Sequence, residues 1–233
     1  MSSMLKVEDL HAFIGQFHIL HGVNLGITTG SIAVILGRNG AGKTTTLRSI
    51  MGLVPKLEGS ITFDGKELIG LTPEIIARLG IGYVPEDQAV FSSLTVAENL
   101  RLVARNKEAR AREEMVLELF PDLKVAWTKK GKALSGGQKQ MLAIGRALIN
   151  PNRLLLIDEP SKGLAPVVIE KVIQAVSKLK DHTTVILVEQ NYLVASHLGE
   201  SYHLLDNGRT VHTGTMEELR QNDDLRKRYL AVG

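Results

Sequence analysis

The sequence predicts an α/β fold, a mainly parallel sheet with helices on both faces, on three observations. Apolar runs of strand length recur at Ile32–Leu36, Ile81–Val84, Arg153–Ile157 and 183–189, as expected of strands buried on both faces. Segments with helix-start and helix-stop chemistry lie between them. The first run passes directly into a glycine-rich loop and then a helical stretch, a strand–loop–helix unit of the kind that builds such sheets.

The elements follow in order. Residues 4–36 read as strands and tight turns: Leu5, Val7 and Leu10 are loosely spaced, whereas Val23, Leu25 and Ile27 alternate as in a half-buried strand. A helix over 43–52 follows the loop. Gly59–Phe63 reads as a strand ending in an Asp64-Gly65 turn. Thr72-Pro73 starts a helix that stops at Gly80. Thr95 and Glu98 form a capping box. From about 96 to 120 the chain reads as charged helix. Arg101, Arg105, Lys107, Arg110 and Arg112 are set against Glu108, Glu113, Glu114 and Glu118, a solvated face; Pro121 ends it. Residues 88–140 therefore read as a helical insertion in an α/β body. Ser135 caps a helix over 136–149, and another spans 166–180. Asp206–Arg209 is a hairpin turn, and 215–231 is an amphipathic helical tail.

The 233 residues make one large domain, 1–233. A net charge of +3 without a basic block, and 4% aromatic residues, give little to hold nucleic acid. With no cysteine there is no disulfide or thiolate chemistry. No apolar run approaches the ~20 residues that span a bilayer, and Met1–Lys6 lacks a leader's apolar stretch. A cytoplasmic chain is expected, with any membrane role exerted through partners.

Three motifs carry chemistry. In Gly37-Arg38-Asn39-Gly40-Ala41-Gly42-Lys43-Thr44, followed by Thr45, glycines let backbone N–H groups converge on phosphate oxygens and the helix N-terminus adds its dipole. Lys43 can reach β- and γ-phosphates, and the Thr44 hydroxyl can ligate Mg²⁺. In Leu154–Glu159 a buried strand ends in two carboxylates. That is also how an ordinary acidic loop begins, but the phosphate loop upstream favours Asp158 as a Mg²⁺ ligand and Glu159 as the base that orients or deprotonates water. Leu134-Ser135-Gly136-Gly137-Gln138 places two glycines at a helix start. That is locally unfavourable unless another group approaches closely, and it suggests a second anion site.

In this order the three motifs resemble the ATP-binding subunits of ABC transporters, and the resemblance covers essentially the whole chain. It implies a P-loop NTPase core over 1–87 and 141–233, with an N-terminal antiparallel β subdomain. It also implies a helical subdomain over 88–140 that carries the signature motif. ATP and Mg²⁺ are the implied ligands. Two ATPase subunits would sit head to tail, each nucleotide lying between one chain's Gly37–Thr45 and the other's Ser135–Gln138. Ser161–Ala165 would be the loop crossing that interface. Integral membrane permeases would bind mainly over the helical insertion. Three positions depart from the family pattern. Ile14 stands where an aromatic stacks on adenine, Glu86 where a Gln meets Mg²⁺ or water, and Gln190 where a His senses γ-phosphate. Glu86 could still coordinate Mg²⁺ or water but adds a negative charge near the γ-phosphate, and Gln190 can hydrogen-bond a γ-phosphate but not carry positive charge. Val84-Pro85-Glu86, Glu159–Pro166 and Val188–Asn191 are similar to the smaller ATPase subunit of the branched-chain amino-acid importers. That implies a heterodimer with a second ATPase and, indirectly, a solute-binding protein. The other readings are a related importer for urea or short amides, an ABC ATPase acting on nucleic acid or ribosomes, and a regulatory module without hydrolysis.

Overall fold

The computed structural model describes residues 3–104, 108–180 and 182–230. Two long strands, β1 (Ser3–Ile14) and β2 (Phe17–Thr28), pair antiparallel. The loose spacing of Val7 and Leu10 has a local cause. Asp9 lies at φ 45°, and the register against β2 slips between Val7 and Leu10. This bulge turns both residues inward although they are three apart. β3 (Ile32–Leu36) leads through the glycine loop to α1 (Lys43–Ile50). β4 (Lys56–Phe63) begins before the predicted strand and turns at Asp64-Gly65 into β5 (Lys66–Glu67). α2 (Pro73–Arg78) has Thr72 as N-cap, and β6 (Ile81–Val84) follows.

The stretch 96–120 is not one helix. α3 (Val96–Leu102) ends before Ala104 and α4 (Glu108–Leu119) begins anew. They lie close enough for Arg101 Nε to meet Glu113 at 3.1 Å. Arg112 is not simply solvated, because it donates to the backbone carbonyls of Leu148 and Asn150. Arg105 and Lys107 lie outside the described residues, as do the side chains of Glu108 and Arg110. α5 (Pro121–Val125) and α6 (Gly136–Leu148) complete the helical region, the latter opened by a Ser135–Gln138 capping box.

β7 (Leu154–Asp158), α7 (Pro166–Leu179) and β8 (Thr184–Glu189) follow the predicted order. α8 (Tyr192–Leu198) was not predicted; its signal is Asn191, whose side chain accepts from the Leu193 and Val194 amides. β9 (Ser201–Asp206) and β10 (Arg209–Thr215) form the expected hairpin, with Asn207 and Gly208 at positive φ. The tail breaks into α9 (Met216–Gln221) and α10 (Asp223–Leu230), because the Asn222 side chain accepts the Leu225 amide and restarts the helix. Residue 231 lies outside the described residues.

The strands form two sheets. An antiparallel one has the order β2-β1-β4-β5, and a six-stranded one the order β10-β9-β3-β8-β7-β6. All neighbours in the second are parallel except β10–β9. Its central strands β3, β7 and β8 are buried on both faces. Val34, Leu36, Leu155, Ile157 and Leu187 join a core with the helical region and α7 and α8. Ala33, Ile35, Leu154, Leu156 and Ile186 join one with the antiparallel sheet, α1 and α2. The alternation explains why the runs are apolar throughout. It also sets the carboxyl ends of β3, β7, β6 and β8 side by side, where a ligand binds in such sheets. Among the described residues, no helix is long and apolar enough to cross a membrane.

Candidate active site

The loop after β3 is braced from behind. A Cβ on Gly37 would stand 2.3 Å from the Leu205 carbonyl oxygen, and one on Gly42 would stand 2.6 Å from Leu20 Cδ2. These glycines are therefore required by the packing of β9 and β2 behind the loop as well as by its curl. Arg38, Asn39 and Gly40 face outward, exposed. Lys43, only 5% exposed, folds back over its own loop: Nζ donates to the Gly37 carbonyl at 2.9 Å and the Arg38 carbonyl at 3.2 Å.

β7 brings its two carboxylates against this loop. The Thr44 hydroxyl donates to Asp158 Oδ1 at 3.1 Å, and the Tyr83 hydroxyl reaches Oδ2 at 3.4 Å. Asp158 is fully buried. Burial first, then the nearby charges of Glu159 and Glu86, lift its pKa to about 6 against the hydrogen bonds from Thr44 and Tyr83. Burial likewise pushes the Tyr83 phenol up, helped by Asp158. Glu159 adopts φ 45°, which turns its side chain out of the strand and into the site. Oε1 lies 3.4 Å from Lys43 Nζ, and Oε2 the same distance from Lys162 Nζ.

A cleft of about 350 Å³ gathers Asn39 through Thr45 with Glu86, Glu159, Lys162 and Ile19. Glu86 reaches it as an ion pair with Lys162, at 2.6 Å. Ile14 does not line the cleft; it is 44% exposed at the end of β1. The apolar wall is Ile19 instead, which the sequence reading missed. Gln190 is exposed in an adjoining cleft with Glu159, Ser161, Lys162 and Glu189. Glu189 was also missed. Its carboxylate, 1% exposed, accepts from the Ser161 amide at 3.1 Å, the Ser161 hydroxyl at 2.9 Å and the Asn191 amide at 3.3 Å, while burial raises its pKa. It fastens the turn after β7 to the end of β8. An apolar strand ending in a carboxylate, the pattern read at Asp158, was the available signal.

Ser135 to Gln138 stand apart from both clefts, at the start of α6. Ser135 Oγ accepts the Gln138 amide, and Gln138 Oε1 accepts the Ser135 amide at 3.1 Å. The two glycines there have different reasons. A Cβ on Gly137 would lie 2.3 Å from Val168 Cγ1, so this glycine lets α6 approach α7. Gly136 is exposed, and its nearest neighbour would be Leu164 Cδ2 at an ordinary 3.7 Å. The close approach inferred for both from sequence is internal for Gly137 and open to an outside group at Gly136.

The sequence model of the family described as ABC transporter matches residues 20–162. The chain is 40% identical over 231 residues to the high-affinity branched-chain amino acid transport ATP-binding protein BraG of Pseudomonas aeruginosa, covering 97% of this chain and 99% of that one. It is 36% identical over 234 residues to the probable branched-chain amino acid transport ATP-binding protein LivF of Archaeoglobus fulgidus, covering 98% and 99%. Among solved structures it resembles a dimeric ATP-binding cassette in a post-hydrolysis state with ADP and Pi. The TM-score is 0.80 and the identity 29%, over 91% of this chain and 99% of that one.

Proposed function

Because this chain belongs to the ABC transporter family, a nucleotide-binding ATPase family coupled to transport, we propose that it energises a branched-chain amino-acid importer from the cytoplasmic face of the membrane. The observation that carries the ATPase reading is the convergence of Lys43, Thr44, Asp158 and Glu159 within 3.4 Å contacts at one sheet edge. The substrate reading draws on near-full-length likeness to BraG and LivF, whose names state branched-chain amino acid transport.

In this reading the exposed loop amides of Arg38 to Gly42 and the start of α1 hold the phosphates. Lys43 exchanges its loop carbonyls for phosphate oxygens, and Thr45 supports the α-phosphate end. Ile19, with Ile14 beyond it, packs against the base. The residues present fit Mg²⁺. The Thr44 hydroxyl and Asp158 carboxylate are adjacent hard oxygen donors, and an Asp lifted to about 6 by burial and neighbouring carboxylates is an anion that a cation would restore. Among the described residues no group of three or more His, Cys, Asp or Glu side chains is placed to hold a metal ion, so the proposed protein ligands are Thr44 and Asp158, with phosphate and water oxygens to complete the shell. When bound, Mg²⁺ would neutralise phosphate charge. Glu86, held by Lys162, lies beside that site rather than committed to it. Glu159 accepts the proton of the attacking water, and the Gln190 amide donates to the γ-phosphate.

Each chain is then half of two sites, completed by Ser135, Gly136, Gly137 and Gln138 of a second ATPase subunit in a head-to-tail dimer. The dimeric cassette of similar fold supports a dimer. Membrane-embedded permease subunits are the partners. They would dock over the helical subdomain at 88–140, and a solute-binding protein would act through them.

Glu159→Gln removes the proton acceptor and keeps the shape. The variant is expected to bind ATP as the wild type does and to lose at least about a hundredfold in phosphate release. Turnover within a few fold of wild type would refute the assignment of the base. Co-purification from detergent-solubilised membranes tests the importer reading: two multi-spanning permeases and a second ATPase support it, whereas ribosomes or nucleic acid without membrane protein refute it.

A further inference from the structure

Four charged side chains form an alternating row through the cleft. Lys43 Nζ lies 3.4 Å from Glu159 Oε1, Glu159 Oε2 lies 3.4 Å from Lys162 Nζ, and Lys162 Nζ lies 2.6 Å from Glu86 Oε1. The buried Asp158 stands beside the row, hydrogen-bonded to Thr44. Two carboxylates, Glu86 and Glu159, thus line the phosphate cleft with Asp158 buried beside them, and Lys43 and Lys162 are set among them. Lys43 has a second duty at its loop. Lys162 is held in place by the turn after β7, where its amide donates to the Glu159 carbonyl at 3.2 Å. The base and its second cation therefore sit in one turn, and Glu86 comes to them from a loop 76 residues away.

We propose that Lys162 is a positioning residue for ATP hydrolysis. It neutralises Glu86, holds that carboxylate away from the phosphates, and keeps Glu159 aimed between two cations. The inference deepens the ATPase reading and rests on it. It answers the charge problem posed by Glu86: a glutamate at the phosphate edge repels ATP unless a cation is fixed against it. Lys162 supplies that cation from within the same chain. The Lys162 side chain is half exposed, at 54%, so its removal leaves the fold intact and the effect falls on the cleft.

The test is a double-mutant cycle with Lys162→Met and Glu86→Gln. The first readout is ATP affinity in EDTA, measured by titration calorimetry on the full chain; kcat and KM with Mg²⁺ are the second. Lys162→Met is expected to weaken Mg²⁺-free ATP about tenfold, because Glu86 then faces the phosphates uncompensated. Glu86→Gln alone is expected to change it less than about threefold, and the double variant to recover most of the loss. The kcat of Lys162→Met falls further than its KM rise accounts for, and Glu86→Gln restores KM but not kcat, because Glu159 still lacks its second cation. Equal ATP affinity in wild type and Lys162→Met, or losses that simply add in the double variant, would overturn the proposal and leave the ATPase reading standing. A wild-type chain without ATP affinity would overturn the ATPase reading itself, and the two failures are distinct.

Discussion

Gly137→Ala adds one methyl group where α6 crosses α7. Its Cβ would stand 2.3 Å from Val168 Cγ1 and 3.3 Å from Cγ2, whereas carbon atoms pack best at about 3.5–4.0 Å. The helices must part or Val168 must leave its rotamer, at a cost of about 1–3 kcal/mol. Alanine's better helix propensity returns at most about 1 kcal/mol. The net expectation is a loss of roughly 1–2 kcal/mol, which lowers Tm by about 2–8 °C for a domain of this size. Gly136→Ala is the control one residue away. Its Cβ meets only Leu164 Cδ2 at 3.7 Å, so stability is expected to hold or rise by a few tenths of a kcal/mol. In the proposed dimer its exposed face is offered to a partner's nucleotide, and there ATPase activity is expected to fall at least about tenfold. Urea unfolding midpoints and phosphate release on the same preparations separate the two effects. Val168→Ala in the Gly137→Ala background removes both clashing methyls and is expected to return at least half of the lost stability. Equal midpoints for the two glycine variants, or no recovery with Val168→Ala, would refute the packing argument.

Two further outcomes test the structure elsewhere. His203, on β9 and 5% exposed, is held neutral by burial, with its pKa lowered from 6.5 to about 4. Between those values the unfolded chain binds a proton that the folded chain refuses, so stability is fully present above pH 6.5 and falls as pH drops toward 4, by about 3 kcal/mol. His203→Leu is expected to flatten urea midpoints measured from pH 7 to pH 5, and an unchanged slope would contradict the assignment. Glu189→Ala strips the acceptor from the Ser161 amide and hydroxyl. A loss of about 1–3 kcal/mol and faster hydrogen exchange at the Ser161 amide are expected; unchanged exchange would mean the turn after β7 does not depend on Glu189.

Features whose cause lies within a few residues were legible in the sequence. The capping box at Thr95, the cap at Ser135, the Asp64-Gly65 and Asn207-Gly208 turns, the doubly buried strands and the loop from Gly37 to Thr44 all state their structure locally. What was misread depends on distant neighbours. Arg112 reads as solvated until the end of α6 comes beside it. Val7 and Leu10 fit no strand period until a bulge is allowed between them. The close approach suggested at Gly137 has no visible partner along the chain until Val168 fills the space above it. Glu86 is the sharpest case. Read along the chain it is a negative charge set against phosphate, an argument for a module that has lost hydrolysis. In the folded chain Lys162, 76 residues on, stands 2.6 Å away. The same cation also touches Glu159, so the charge that sequence counts against catalysis is tied through one ammonium to the carboxylate proposed as the base. Charge balance belongs to the cleft rather than to any motif, and the parallel order β3-β8-β7-β6 brings its contributors together.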